Sequence, residues 1–154
     1  MSYVEKNLLP GETVDYRAHL HPIVFLHPSF FALIGLSFVV FSFVSAGLSY
    51  FWIPGAVLLF YAAGVCIDRA VHYLSSEFAI TNKRVVIKVG FFNRKTLEMV
   101  LAKIETIRVD QSILGRVFNY GTIVVTGTGG TNEPFRSIAN PLEFRRQVQA
   151  RTAG

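Results

Sequence analysis

Hydrophobic and polar positions fall into three regimes along the chain. Up to residue 17 they are mixed. From Ala18 to Ile67, fifty residues carry no Asp, Glu, Lys or Arg. From Ser76 a period of two takes over, the spacing of half-buried strands. The uncharged block has room for two helical crossings of a bilayer core, at roughly 20 residues each, and a turn. Gly47 and Ser49 weaken the helix around Ala46–Tyr50, which places the spans at about 29–46 and 51–67. Pro28 and Pro54 fall in first turns, where a missing N–H costs little. The mostly polar lead of about twenty residues and the length of the apolar block do not fit a secretory signal.

The period of two assigns the rest. Phe78 and Ile80 alternate with polar neighbours, and Thr81-Asn82-Lys83 turns the chain. Val85, Ile87 and Val89 then share one face, with Arg84, Val86 and Lys88 on the other. Residues 90–94 turn again, and Leu97, Met99 and Leu101 point inward. Ile107 and Val109 mark a strand near 105–111. Ile113 with Val117, and Leu114 with Phe118, lie four apart and predict a short helical turn. Strands near 122–126 and 134–138 flank the turn Gly127–Asn132, whose glycines open no helix and precede no Lys-Ser/Thr, so they do not cradle phosphate. Asn140-Pro141-Leu142-Glu143 starts a final helix, with Asn140 as cap and Glu143 reaching back. Phe144 and Val148 pack that helix on the sheet. The expected chain is α+β: a segment 1–22, a transmembrane helical hairpin 23–70, and a bent antiparallel β-sheet of about seven strands capped by a C-terminal helix over 71–154.

Charge sets the orientation. The first 17 residues have a net charge of −1, and residues 68–154 carry thirteen basic and seven acidic residues. The inter-span turn is uncharged while Arg17, Arg69 and the basic domain flank the other ends, so both termini are expected in the cytoplasm. Tyr50 and Trp52 are interface anchors at the far side, where amphipathic rings prefer to lie. Ser42 with Ala46, and Ala62 with Cys66, are small residues four apart that allow close helix approach. The single cysteine, Cys66, permits no internal disulfide and reads as packing.

Several residues together carry a resemblance. Ile80-Thr81 is followed by Arg84-Val85 and Gly90, then by Ile104 with Ile107, Gln111-Ser112, Leu114-Gly115, Tyr120-Gly121 and Asn140-Pro141. Upstream stand Gly11-Glu12 and the His19–Pro22 region. In this order they resemble the membrane-associated bacterial pleckstrin-homology (PH) family over nearly the whole chain. The resemblance implies a PH-like fold on the cytoplasmic face of a bacterial inner membrane, no catalysis and no cofactor.

The candidate chemistry is that of contact. Lys83, Arg84, Lys88, Arg94 and Lys95 form a basic edge on the first hairpins, suited to anionic headgroups. Phe91 and Phe92 sit at a hairpin tip, suited to the bilayer or a neighbouring subunit. His19, His21 and His27 lack a further spaced ligand, and no metal is expected. No nucleophile–base set is visible, so no enzyme is expected, and the modest charge without interleaved aromatics disfavours nucleic acid. The expected partners are the lipid bilayer, further copies of the chain in a homo-oligomer, or another membrane protein. The alternative is a headgroup sensor built on the basic edge.

Overall fold

The computed structural model describes residues 3–45, 49–91, 95–128, 130 and 132–152. In chain order the elements are α1 (Tyr3–Lys6), β1 (Val14–Ala18), α2 (Leu26–Val44), α3 (Trp52–Ser75), β2 (Glu77–Thr81), β3 (Arg84–Val89), β4 (Lys95–Val100), β5 (Ile104–Asp110), α4 (Ile113–Val117), β6 (Tyr120–Gly127), β7 (Asn132–Ala139) and α5 (Pro141–Thr152). They form two compact units. One is Pro22–His72; the other combines the residues up to His21 with those from Tyr73 onward.

The first unit is the helical pair. Both α2, with its lead-in turn from Pro22, and α3 are long and apolar enough to cross a membrane. Their outer surfaces are open, with Phe43 and Phe60 each 84% exposed. The second helix runs past the expected end at 67 to Ser75. No breaker stands between Ile67 and Ser75, and 24 residues give a rod of about 36 Å. Of the small residues expected at the contact, Ser42 and Ala62 are buried, Cys66 is exposed, and Ala46 lies outside the described residues. The two helices approach closely at Gly35 and Gly55. A Cβ on Gly55 would stand 2.7 Å from Val39 Cγ2 and 2.8 Å from the Gly35 carbonyl oxygen. A backbone atom cannot yield as a side-chain end can, so overpacking should cost about 1–3 kcal/mol or more. Gly55→Leu is therefore expected to lower the melting temperature of the full chain's helical signal in detergent. Gly64→Leu, where a Cβ meets nothing within 4 Å, is expected to leave it unchanged.

The second unit is two antiparallel sheets, β1-β2-β3-β4 and β5-β6-β7. Their inner faces enclose one core of Phe78, Ile80, Val85, Ile87, Ile123, Val125, Ile138, Phe144 and Val148. Phe144 and Val148 come from α5, which packs as its spacing predicted. Its start differs in detail from expectation. The Asn140 side-chain oxygen accepts from Asn119 Nδ2, and Glu143 bonds forward to Gln147 and Arg146 instead of reaching back.

The first strand comes from the segment ahead of the helical pair. β1 pairs with β2 through Tyr16↔Ile80, Arg17↔Ala79 and Ala18↔Phe78. The chain then crosses to the other sheet, where Leu20 bridges Ile138 and the His21 N–H donates to Ser137 O at 2.7 Å. The helical pair is thus an insertion between two hydrogen-bonded neighbours. The outer face of the first sheet is covered as well: Val4, Ala79 and Val86 form a second small core with Tyr3, Leu8 and Val14 against it. Val86, expected on the polar face, is 3% exposed for that reason.

Candidate functional site

The basic residues of the first hairpins divide between two ends of the sheet. β2 leaves the helical pair at Glu77 and runs to the turn at Asn82-Lys83. β3 runs back, so that Lys88 faces Glu77 and Lys95 faces Val89. Lys83 and Arg84 therefore lie at the far end. Lys88, Lys95 and Phe91 lie at the end where the chain departs for and returns from the helical pair, about 13 Å away along β3 at the usual rise. Phe91 is half exposed and Lys95 exposed. Phe92 and Arg94 lie outside the described residues.

At the far end the charges are engaged within the fold. Arg84 donates from Nε to Glu12 Oε1 at 2.9 Å and from Nη2 to Glu12 Oε2 at 3.1 Å. Its remaining donors reach Glu98 and, at 2.6 Å, the carbonyl of Asn7. The Glu12 side chain is fully buried. It also accepts from the Leu9 N–H and the Thr81 hydroxyl, both at 2.7 Å. Burial pushes the Glu12 carboxyl up, but the hydrogen bonds from Arg84, Leu9 and Thr81 and the Arg84 charge outweigh it and hold it at about 2. Lys83 Nζ donates to Pro10 O at 3.0 Å, and Asn82 bonds to Gly11 O and to the Thr13 N–H. Lys88 Nζ sits 4.9 Å from the centre of the Tyr3 ring, a cation–π distance. Three of the five basic candidates thus hold the N-terminal segment on the sheet. The matching signal in the sequence was Glu12, an isolated acid 72 positions before Arg84.

The departure end carries different chemistry. A cavity of about 270 Å³ lies there, lined by Arg17, His19, Tyr73, Ser76 and Glu77 among others. Its charged groups are paired inside the domain: Arg17 with Glu5 at 2.6 Å, and Glu77 with the Tyr3 and Val4 N–H groups. Beside His21, whose ring stacks on Tyr120 at 5.3 Å, stands α4. Its Ser112 cap accepts from the Gly115 N–H at 3.1 Å, and Gln111 Nε2 donates to the carbonyls of Gly115 and Tyr120 at 3.2 and 3.1 Å. A Cβ on Gly115 would stand 2.6 Å from Tyr120 O, so only glycine lets the helix sit this close to β6. The helical turn was expected; its exposure was not. Ile113, Leu114, Val117 and Phe118 all point outward, between 53% and 83% exposed.

The seven strands in two antiparallel sheets and the closing helix are the PH arrangement that the motifs implied, with the sheets left open between β4 and β5. The family model described as Bacterial PH domain matches residues 29–152. The chain belongs to the bacterial PH domain family. Searches of curated proteins and of solved structures gave no match. The match begins inside α2, so the bacterial PH domain of this chain takes its first strand from outside the matched region. PH-type domains are generally non-catalytic. Among the described residues, no three His, Cys, Asp or Glu side chains gather as a metal site would need.

Proposed function

We propose that this bacterial PH domain protein is a non-enzymatic assembly module of the inner membrane. Its helical pair crosses the bilayer twice with both termini in the cytoplasm, and the domain associates with further copies of itself or with another membrane protein. The observation that carries this reading is the insertion of the pair between β1 and β2. Both covalent links leave one end of the domain, which keeps that end at the bilayer and raises the local concentration of neighbours in the membrane plane. Weak contacts then suffice, and the half-exposed Phe91 is our candidate to supply one. The headgroup-sensor reading draws less support, because Lys83 and Arg84 are bonded to residues 7–12 at the end away from both links.

The test is the mass of the full-length protein in nanodiscs and in mild detergent, measured by light scattering. A multimer is expected, and Phe91→Ser with Phe92→Ser is expected to shift it toward monomer. A monomer in both media, which also brings no other membrane protein through gentle purification, would remove the assembly reading. A fluorescent reporter after Gly154 that is dark in the cytoplasm would remove the topology.

A further inference from the structure

The outward face of α4 is an apolar surface with cations beside it. Ile113, Leu114, Val117 and Phe118 are exposed on one short helix. Arg116 and Arg136 line the adjoining groove together with Gln111, Ser112, Tyr120 and one acid, Asp110. Neither guanidinium has an ion-pair partner among the described residues. Two guanidinium groups thus stand beside four exposed apolar side chains.

We propose that α4 is a third membrane contact, which seats its apolar side chains in the headgroup–acyl boundary while Arg116 and Arg136 meet anionic phospholipid headgroups. This rests on the reading that the helical pair spans the bilayer. Position supports it: His21 stacks on Tyr120, only two residues past Phe118, and Pro22 opens the apolar stretch that leads into α2. The last residue of the domain before the apolar segment therefore lies against the start of β6, the strand that follows α4. Chemistry supports it too, since apolar side chains flanked by arginine are what the boundary of an anionic leaflet accommodates. The rigid seat made by Gln111, Ser112 and Gly115 fixes the apolar face outward without needing a partner to order it, which lowers the cost of docking.

The experiment uses the full-length protein in vesicles of phosphatidylglycerol and phosphatidylcholine brominated near the headgroup. Trp52 is the sole native tryptophan, and its quenching reports whether the helical pair is in the bilayer. In a Trp52→Phe background, Phe118→Trp is expected to lose most of its emission to the brominated lipid, while Leu9→Trp, in the N-terminal segment, keeps its own. Arg116→Ala and Arg136→Ala are each expected to weaken the α4 contact about fivefold, a loss that high salt reproduces. Quenched Trp52 with an indole at position 118 that is no more quenched than that at position 9 overturns the α4 contact alone. Blue-shifted, unquenched emission from position 118 means a protein covers the helix, and overturns it as well. Unquenched Trp52 overturns the spanning reading beneath both.

Discussion

A chain that joins His21 to Tyr73 through a Gly/Ser linker of about ten residues, which reaches about 33 Å when extended, is expected to fold as a water-soluble domain. The segment 73–154 alone is expected to stay unfolded. Far-UV circular dichroism with a thermal melt separates the two: one cooperative transition for the joined chain, none for the segment. The reason is what residues 3–21 bring. Ala18 and Leu20 are buried in the main core, and the Tyr16 ring meets Phe144 edge-on at 6.3 Å. Val4 closes the second core over Ala79 and Val86. Burying a side chain such as leucine or valine contributes about 1.5–3 kcal/mol, and β2 also loses a hydrogen-bonded neighbour. With the Glu12 ion pair added, the loss approaches the roughly 5–15 kcal/mol that separates folded from unfolded domains. A cooperative melt from 73–154 alone would show β1 to be dispensable.

Arg84→Ala is expected to destabilise that soluble domain by about 3 kcal/mol, the low end for breaking a buried pair because Arg84 keeps some solvent contact. The loss comes mainly from leaving the Glu12 carboxylate buried with no counter-charge. Replacing both partners, Arg84→Met with Glu12→Leu, is expected to recover most of it. Acid supplies a second readout. The folded value of Glu12, about 2, lies below its ordinary 4.5, so the ionised form is the one that folding favours. Its contribution is complete above pH 4.5 and fades as pH falls through about 2. The stability gap between the native sequence and Glu12→Gln should therefore narrow across that window in chemical denaturation. A gap that is constant from pH 6 to pH 2 would contradict the ion-pair assignment.

Much of this architecture is visible in local patterns, and the exceptions share a cause. The helical pair shows in the fifty uncharged residues, the hairpins from β2 to β4 in alternation and turns, and α5 in the spacing of Phe144 and Val148. β1 is five residues with two charges, Asp15 and Arg17, and a partner strand that begins at Glu77; nothing nearby announces the pairing. Arg84 looks like surface charge until Glu12 is brought across the fold to meet it. In α4, apolar residues four apart predict a helix, but five residues are too few to say whether its stripe faces in or out. The motifs around α4 nonetheless mattered: Gln111-Ser112 and Gly115 are the residues that lock it to β6.

The split between β1 and β2 also bears on synthesis. Residues 19–76 must leave the ribosome before β1 can find its neighbour, a wait of roughly 3–12 s at ordinary elongation rates. During it Asp15 and Arg17 keep the lone strand from pairing with strangers. The domain therefore closes only after both apolar helices have been made, and a chain whose synthesis stalls within them presents quality-control proteases with an unfinished sheet.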